Sequence, residues 1–135
     1  MAKKIPFNFF KEGQYLKLDI GKLKAIEDIV GRPIGDIIAN SQSISLTTVI
    51  AVLTVGLHEP NGQLKMHTPK HYTDLLQKYF DENEDADIEE IIVPVFKALV
   101  STGILGKAVY MAAFPEDATA EMKDAVKKDE EGKNV

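Results

Sequence analysis

Apolar residues fall at every second position near the N terminus and at every third or fourth position from Asp19 onward, and one internal stretch is apolar almost throughout. That stretch, Ser43 to Leu57 (SISLTTVIAVLTVGL), carries no charged residue. Its Ile, Val and Thr content favours a strand, but it is far longer than the roughly 5–6 residues of an ordinary one. Leu46, Val49, Ile50, Leu53 and Leu57 follow helical spacing, and Ala51 and Val52 widen the apolar surface until little of the circumference is polar. The pattern predicts a central helix, capped at its start by Ser43 or Ser45 and ended near Gly56. At about 1.5 Å per residue it is roughly 20 Å long, the width of a small domain and short of a bilayer.

Before this helix, Ile5, Phe7 and Phe9 alternate, as do Leu16, Leu18 and Ile20, around a loop containing Gly13. Two period-2 runs about such a loop predict a β-hairpin at about residues 5–20. A lone hairpin is marginal in water, so its apolar face must pack on helices or pair with another subunit. From Asp19 the period changes, and Leu23, Ile26, Ile29 and Val30 share a helical face, with Asp19 as N-cap and Gly31 at the C-terminal end. Pro33 suits the first position of a short helix through Ile34, Ile37 and Ile38.

Beyond the central helix, Pro60-Asn61-Gly62 predicts a turn. Thr68-Pro69 then opens a helix with one apolar stripe through Tyr72, Leu75, Leu76, Tyr79 and Phe80. The acidic run Asp81 to Asp87 reads as a solvated loop, because it lacks the glycine and terminal glutamate of an EF-hand. Asp87 and Glu90 resemble a capping box for a helix through Ile88, Ile91, Ile92, Val95, Phe96, Leu99 and Val100. Pro94 inside it predicts a kink or a separate first turn. Thr102-Gly103 closes the helix, and Ile104, Leu105, Val109, Met111 and Phe114 add apolar surface.

The fold class that follows is mainly α: a single-domain helical bundle over residues 1–114 with an N-terminal hairpin, and a polar tail over 115–135 that is disordered or forms a short helix through Ala118, Met122, Ala125 and Val126. A chain of 135 residues is long enough to bury a core without staples. Without cysteine there is neither a disulfide framework nor a thiolate metal site. No signal-peptide or membrane-spanning pattern follows Lys3-Lys4, which points to the cytoplasm. A net charge of −5 without a dense basic stripe disfavours nucleic acid as a partner.

Chemistry is sparse. His67, His71 and Asp74 have partial metal-ligand spacing, but a helix beginning at Thr68-Pro69 separates His67 from the other two. There is no G-x-S-x-G, no G-x-G-x-x-G and no Walker glycine pattern; Gly103 to Lys107 has only the glycine-lysine end of one. The residues therefore point away from an enzyme and to no catalytic, metal or cofactor site. The apolar positions of the helix from Ile88 and of Ile104-Leu105 are either ordinary core or a contact surface for a helix in a groove.

The order of motifs is itself informative. A hairpin leading into YLKLDIGKLKAIEDIVGRPIGDII, then SISLTTVIAVLTVGL, HTPKHYTDLLQKYFDEN, an acidic loop and IEEIIVPVFKALVSTGILGK resembles the tail assembly chaperones of long-tailed bacteriophages and prophages of Gram-positive bacteria, and more loosely their gene-transfer-agent relatives. The resemblance spans about Phe7 to Lys107. It implies a helical, non-catalytic cytoplasmic protein that binds the tape-measure protein, helps recruit tail tube protein and is absent from the finished virion. Many such proteins also have a longer form made by ribosomal frameshifting, for which Lys127-Lys128 is a candidate slippage site here. Phe96, Leu99, Val100, Ile104 and Leu105 are the candidate client-binding residues, and Phe7 and Phe9 the candidate surface for forming a homo-oligomer. The rivals are a structural virion component, such as a tail or connector subunit, and a small regulatory protein of a mobile element.

Overall fold

The computed structural model describes residues 3–40, 44–65 and 67–117. The expected cap at Ser43, the helix through Ala118, Met122, Ala125 and Val126, and Lys127-Lys128 lie outside them. The protein is mainly α-helical with a small antiparallel sheet that its N-terminal segment begins. In order come β1 (Ile5–Pro6), β2 (Tyr15–Leu16), α1 (Ile20–Val30), α2 (Ile34–Ala39), α3 (Leu46–Gly56), β3 (Leu57–His58), α4 (Pro69–Glu82), α5 (Ile88–Val100), α6 (Lys107–Ala113) and a 3-10 turn (Pro115–Asp117).

The central helix is α3. Ser45 accepts a hydrogen bond from the Thr48 backbone N–H at 3.1 Å, satisfying one orphan donor at its start. Val49, Val52 and Leu53 are fully buried, Ala51, Thr48 and Thr54 nearly so, and α1, α4 and α5 all pack on this helix. Thr54 donates its hydroxyl to the Ile50 carbonyl at 2.7 Å, so a buried polar group is satisfied within the helix. Leu46 departs from the expected apolar face and is 63% exposed.

The expected hairpin is the first two strands of a three-stranded sheet ordered β1-β2-β3. Ile5 pairs with Leu16, and Leu16 in turn with Leu57. Both pairings are antiparallel, so the chain leaves α3 directly into the strand that covers the second edge of β2. The apolar face of the sheet packs inward: Ile5, Phe7, Leu16 and Leu18 are all buried, whereas Ile20 has joined α1 and is exposed. Gly13, at φ 90°, turns the loop and donates its N–H to Asn8 Oδ1 at 2.8 Å.

Local chemistry sets the helix ends. Asp19 caps α1 through the Lys22 N–H, and Gly31 at φ 79° ends it with a hydrogen bond to the Glu27 carbonyl. Pro33 is the residue before α2 rather than its first, and the Ile34 N–H at the start of α2 donates to Glu27 Oε2 at 2.7 Å. Thr68 caps α4 with Pro69 at the first position. Asp87 caps α5 through the Glu89 N–H, not in the reciprocal arrangement with Glu90 expected from the sequence. Helix α5 also continues through Pro94 instead of dividing there. Burial of Ile91, Val95, Ala98, Leu99 and Val100 on its inner face outweighs the roughly 3 kcal/mol that an interior proline costs an isolated helix.

Candidate functional site

The candidate contact residues divide between core and surface. Leu99 is fully buried and Val100 nearly so, both inside the main apolar cluster, so their assignment to a client surface is corrected: they are core. The physical reason is that the inner face of α5 packs against α3, α2, α6 and the sheet. Phe96 is half-buried, Leu105 packs partly against the core, and Ile104 stands 53% exposed. Phe7 is likewise corrected as a self-association residue, because it is fully buried and packs against Phe9 in a tilted and Phe10 in an edge-on arrangement, at centroid distances of 4.9 and 5.4 Å. Phe9 is half-buried and meets Tyr79 of α4 edge-on at 5.6 Å.

A large apolar opening lies elsewhere, where α1, α3, α4 and α5 converge. This groove has a volume of about 760 Å³. One wall is the first half of α3, with Leu46, Ile50 and Ala51; the other is α4 from Pro69 through Thr73 and Leu76 to Phe80. Ile29 of α1 and Ile88 and Ile92 of α5 complete it. Leu46 at 63% and Ile29 at 45% exposure leave the groove open to solvent along its edge. Two of its polar wall residues are engaged within α4: Thr73 donates to the Pro69 carbonyl at 3.0 Å, and Gln77 to Asp81 Oδ1 at 2.9 Å. The groove therefore presents apolar surface with few polar groups converging on it, which suits the apolar face of a helix better than a polar small molecule.

Sequence reasoning missed these residues because the groove is assembled from four separate helices. The one signal available in the sequence is that α3 is apolar around most of its circumference, more than a single buried face needs.

Titratable groups gather no reactive constellation here. Among the described residues no group of three or more His, Cys, Asp and Glu side chains is placed to hold a metal ion. The His67 and His71 rings stack at 3.8 Å, while Asp74 is engaged by Lys70 at 3.0 Å. His58 is buried in β3, where its Nδ1 donates to the Gly56 carbonyl at 2.8 Å. Burial lowers its pKa below the ordinary histidine value, the Gly56 hydrogen bond opposes this, and Lys22, Lys17 and Lys4 add to the lowering. Burial raises the Tyr72 pKa, with the negative charge of Glu59 adding to it. No helix among the described residues is long and apolar enough to cross a membrane.

Comparison with protein-family models, with curated proteins and with solved structures gave no match for this chain.

Proposed function

We propose that this protein is a non-catalytic tail assembly chaperone of a long-tailed bacteriophage or prophage, acting in the host cytoplasm on the tape-measure protein and helping to recruit tail tube subunits. The observation that carries this reading is the open apolar groove between α3 and α4, with Leu46 and Ile29 uncovered in its wall. A tape-measure protein is long and prone to form coiled coils, so before assembly it exposes repeated apolar seams that aggregate. A groove that receives one such seam masks it until tube subunits take its place. Covering a large aliphatic side chain is worth about 1.5–3 kcal/mol, so Leu46 and Ile29 together give the groove a real driving force for a helical client.

The segments that carry the family resemblance also occupy coherent places in the fold. GRPIG forms the α1–α2 junction and TGILGK the α5–α6 junction, with Gly31, Gly103 and Gly106 all at positive φ. Both are structural punctuation, which agrees with a family held together by helix arrangement and not by reactive residues.

Co-expression with the tape-measure protein encoded nearby tests the proposal. Wild-type protein is expected to keep the tape measure soluble and to co-purify with it, and Leu46→Asp to lose both effects while keeping a native circular dichroism spectrum. Leu46 is exposed at the first position of α3, where an acidic side chain is compatible with the helix dipole. Tape measure that stays insoluble with wild-type protein, or the presence of this protein as a stoichiometric part of purified virions, would overturn the proposal in favour of a structural subunit.

A further inference from the structure

The groove is electrostatically asymmetric along its length. Pro69 and Phe80 mark its two ends on α4, about 16 Å apart, or three helical turns. At the Pro69 end, Lys70 and Asp74 neutralise each other in an ion pair at 3.0 Å. At the other end, Phe80 and Ile88 line the groove on either side of the α4–α5 turn, and that turn is acidic. Seven acidic residues lie between Asp81 and Glu90, and no lysine or arginine occurs between Lys78 and Lys97. Glu82, Glu84, Asp85 and Glu89 are exposed, and none is ion-paired with another described residue. Asp81 is tied to the groove itself through its hydrogen bond with Gln77.

The geometry points to a helical protein partner of defined polarity: an amphipathic helix of about three turns whose apolar stripe fills the groove and whose lysine- or arginine-rich end lies against the acidic α4–α5 turn. The inference rests on the reading of this groove as the client site and specifies the chemistry of the client segment. An apolar groove alone accepts a helix in either direction. The unneutralised carboxylates at one end remove that degeneracy, because a basic end placed there gains Coulomb energy and an acidic end loses it. The partial charges of the α4 C-terminus and the α5 N-terminus, which meet at this turn, oppose each other, so the side-chain carboxylates set the sign.

The test uses the full chain and two synthetic amphipathic peptides of about five helical turns, identical in their leucine stripe, one ending in lysines and the other in glutamates. Fluorescence anisotropy at low salt is expected to show the lysine-ended peptide bound about tenfold more tightly, with the preference shrinking as salt is raised. Combining Glu82→Gln, Glu84→Gln and Asp85→Asn removes three of the seven acidic charges and should shrink the preference severalfold while leaving stripe-dependent binding, and Leu46→Asp should abolish binding of both peptides. Equal affinities, binding of neither peptide, or a lysine preference undiminished in the triple variant would overturn the inference. So would a wild-type dimer that Leu46→Asp converts to monomer in sedimentation, since a second copy would then fill the groove. Neither peptide contains tape-measure sequence. Tape-measure capture without a lysine preference would therefore overturn only the polarity, and a lysine preference without tape-measure capture only the client.

Discussion

Leu18 occupies the place where a side chain on Gly56 would stand: its Cδ2 lies 2.5 Å from the position of a Cβ built there. Both residues are buried, and the Lys17 N–H beside them donates to the Gly56 carbonyl at 3.1 Å, so sheet and central helix meet without a spacer. Gly56→Ala must displace Leu18 from a filled core, and an overpacked site of this kind costs about 1–3 kcal/mol. Chemical denaturation should show that loss with little change in the denaturant slope. A variant as stable as wild type would show that the sheet moves freely on α3.

Glu27 links α1 to α2 across a seven-residue separation, its carboxylate accepting the Ile34 N–H at 2.7 Å. Glu27→Ala leaves that partly buried donor without its partner and is expected to cost about 1–2 kcal/mol in thermal or chemical unfolding. Glu27→Gln retains an acceptor and should recover part of the loss.

His58 makes stability depend on pH in a defined direction. Its folded pKa is lowered by burial and by nearby lysines from the ordinary 6.5, so protonation favours the unfolded chain. The neutral form is fully populated in both states well above that value, and stability is lost as pH falls below it toward the lowered folded pKa. Melting temperature should therefore decline between about pH 7 and pH 5, before most carboxylates titrate. His58→Gln should flatten that part of the curve; an unchanged slope would assign it to other groups.

Leu99 and Ile104 should respond in opposite ways to the same change. Leu99→Asp places a charge in a fully buried site and should unfold the protein, as seen by circular dichroism; Leu99→Ala should cost about 2–5 kcal/mol. Ile104→Asp, at a position 53% exposed, should stay within about 0.5 kcal/mol of wild type.

Much of the fold is legible in the sequence because its punctuation is local. Asp19, Ser45, Thr68 and Asp87 cap the helices that follow them, and Gly31 takes the left-handed conformation at the end of α1. Each needs only a few neighbouring residues. What escaped depends on distant contacts. Strand β3 is two residues that leave α3 and pair with β2, too short to register as a period. Helix α6 was visible only as scattered apolar residues after Gly106. For the site, the excess of apolar positions on α5 was real, but the chain spends it differently: Leu99 and Val100 go to the core, while Ile88 and Ile92 turn to the groove. Periodicity identifies an apolar face without saying which neighbour covers it. Leu46 and Ile29 could be recognised as uncovered only once α1, α3 and α4 were packed.

Hydrogen–deuterium exchange of the full chain, alone and with a soluble tape-measure fragment, tests the chaperone function at its proposed site. Client binding in the groove predicts added protection in residues 46–51, 69–80 and 88–92, absent in Leu46→Asp. No protection in these segments, or protection confined to the sheet or to Ile104 and Leu105, would contradict it.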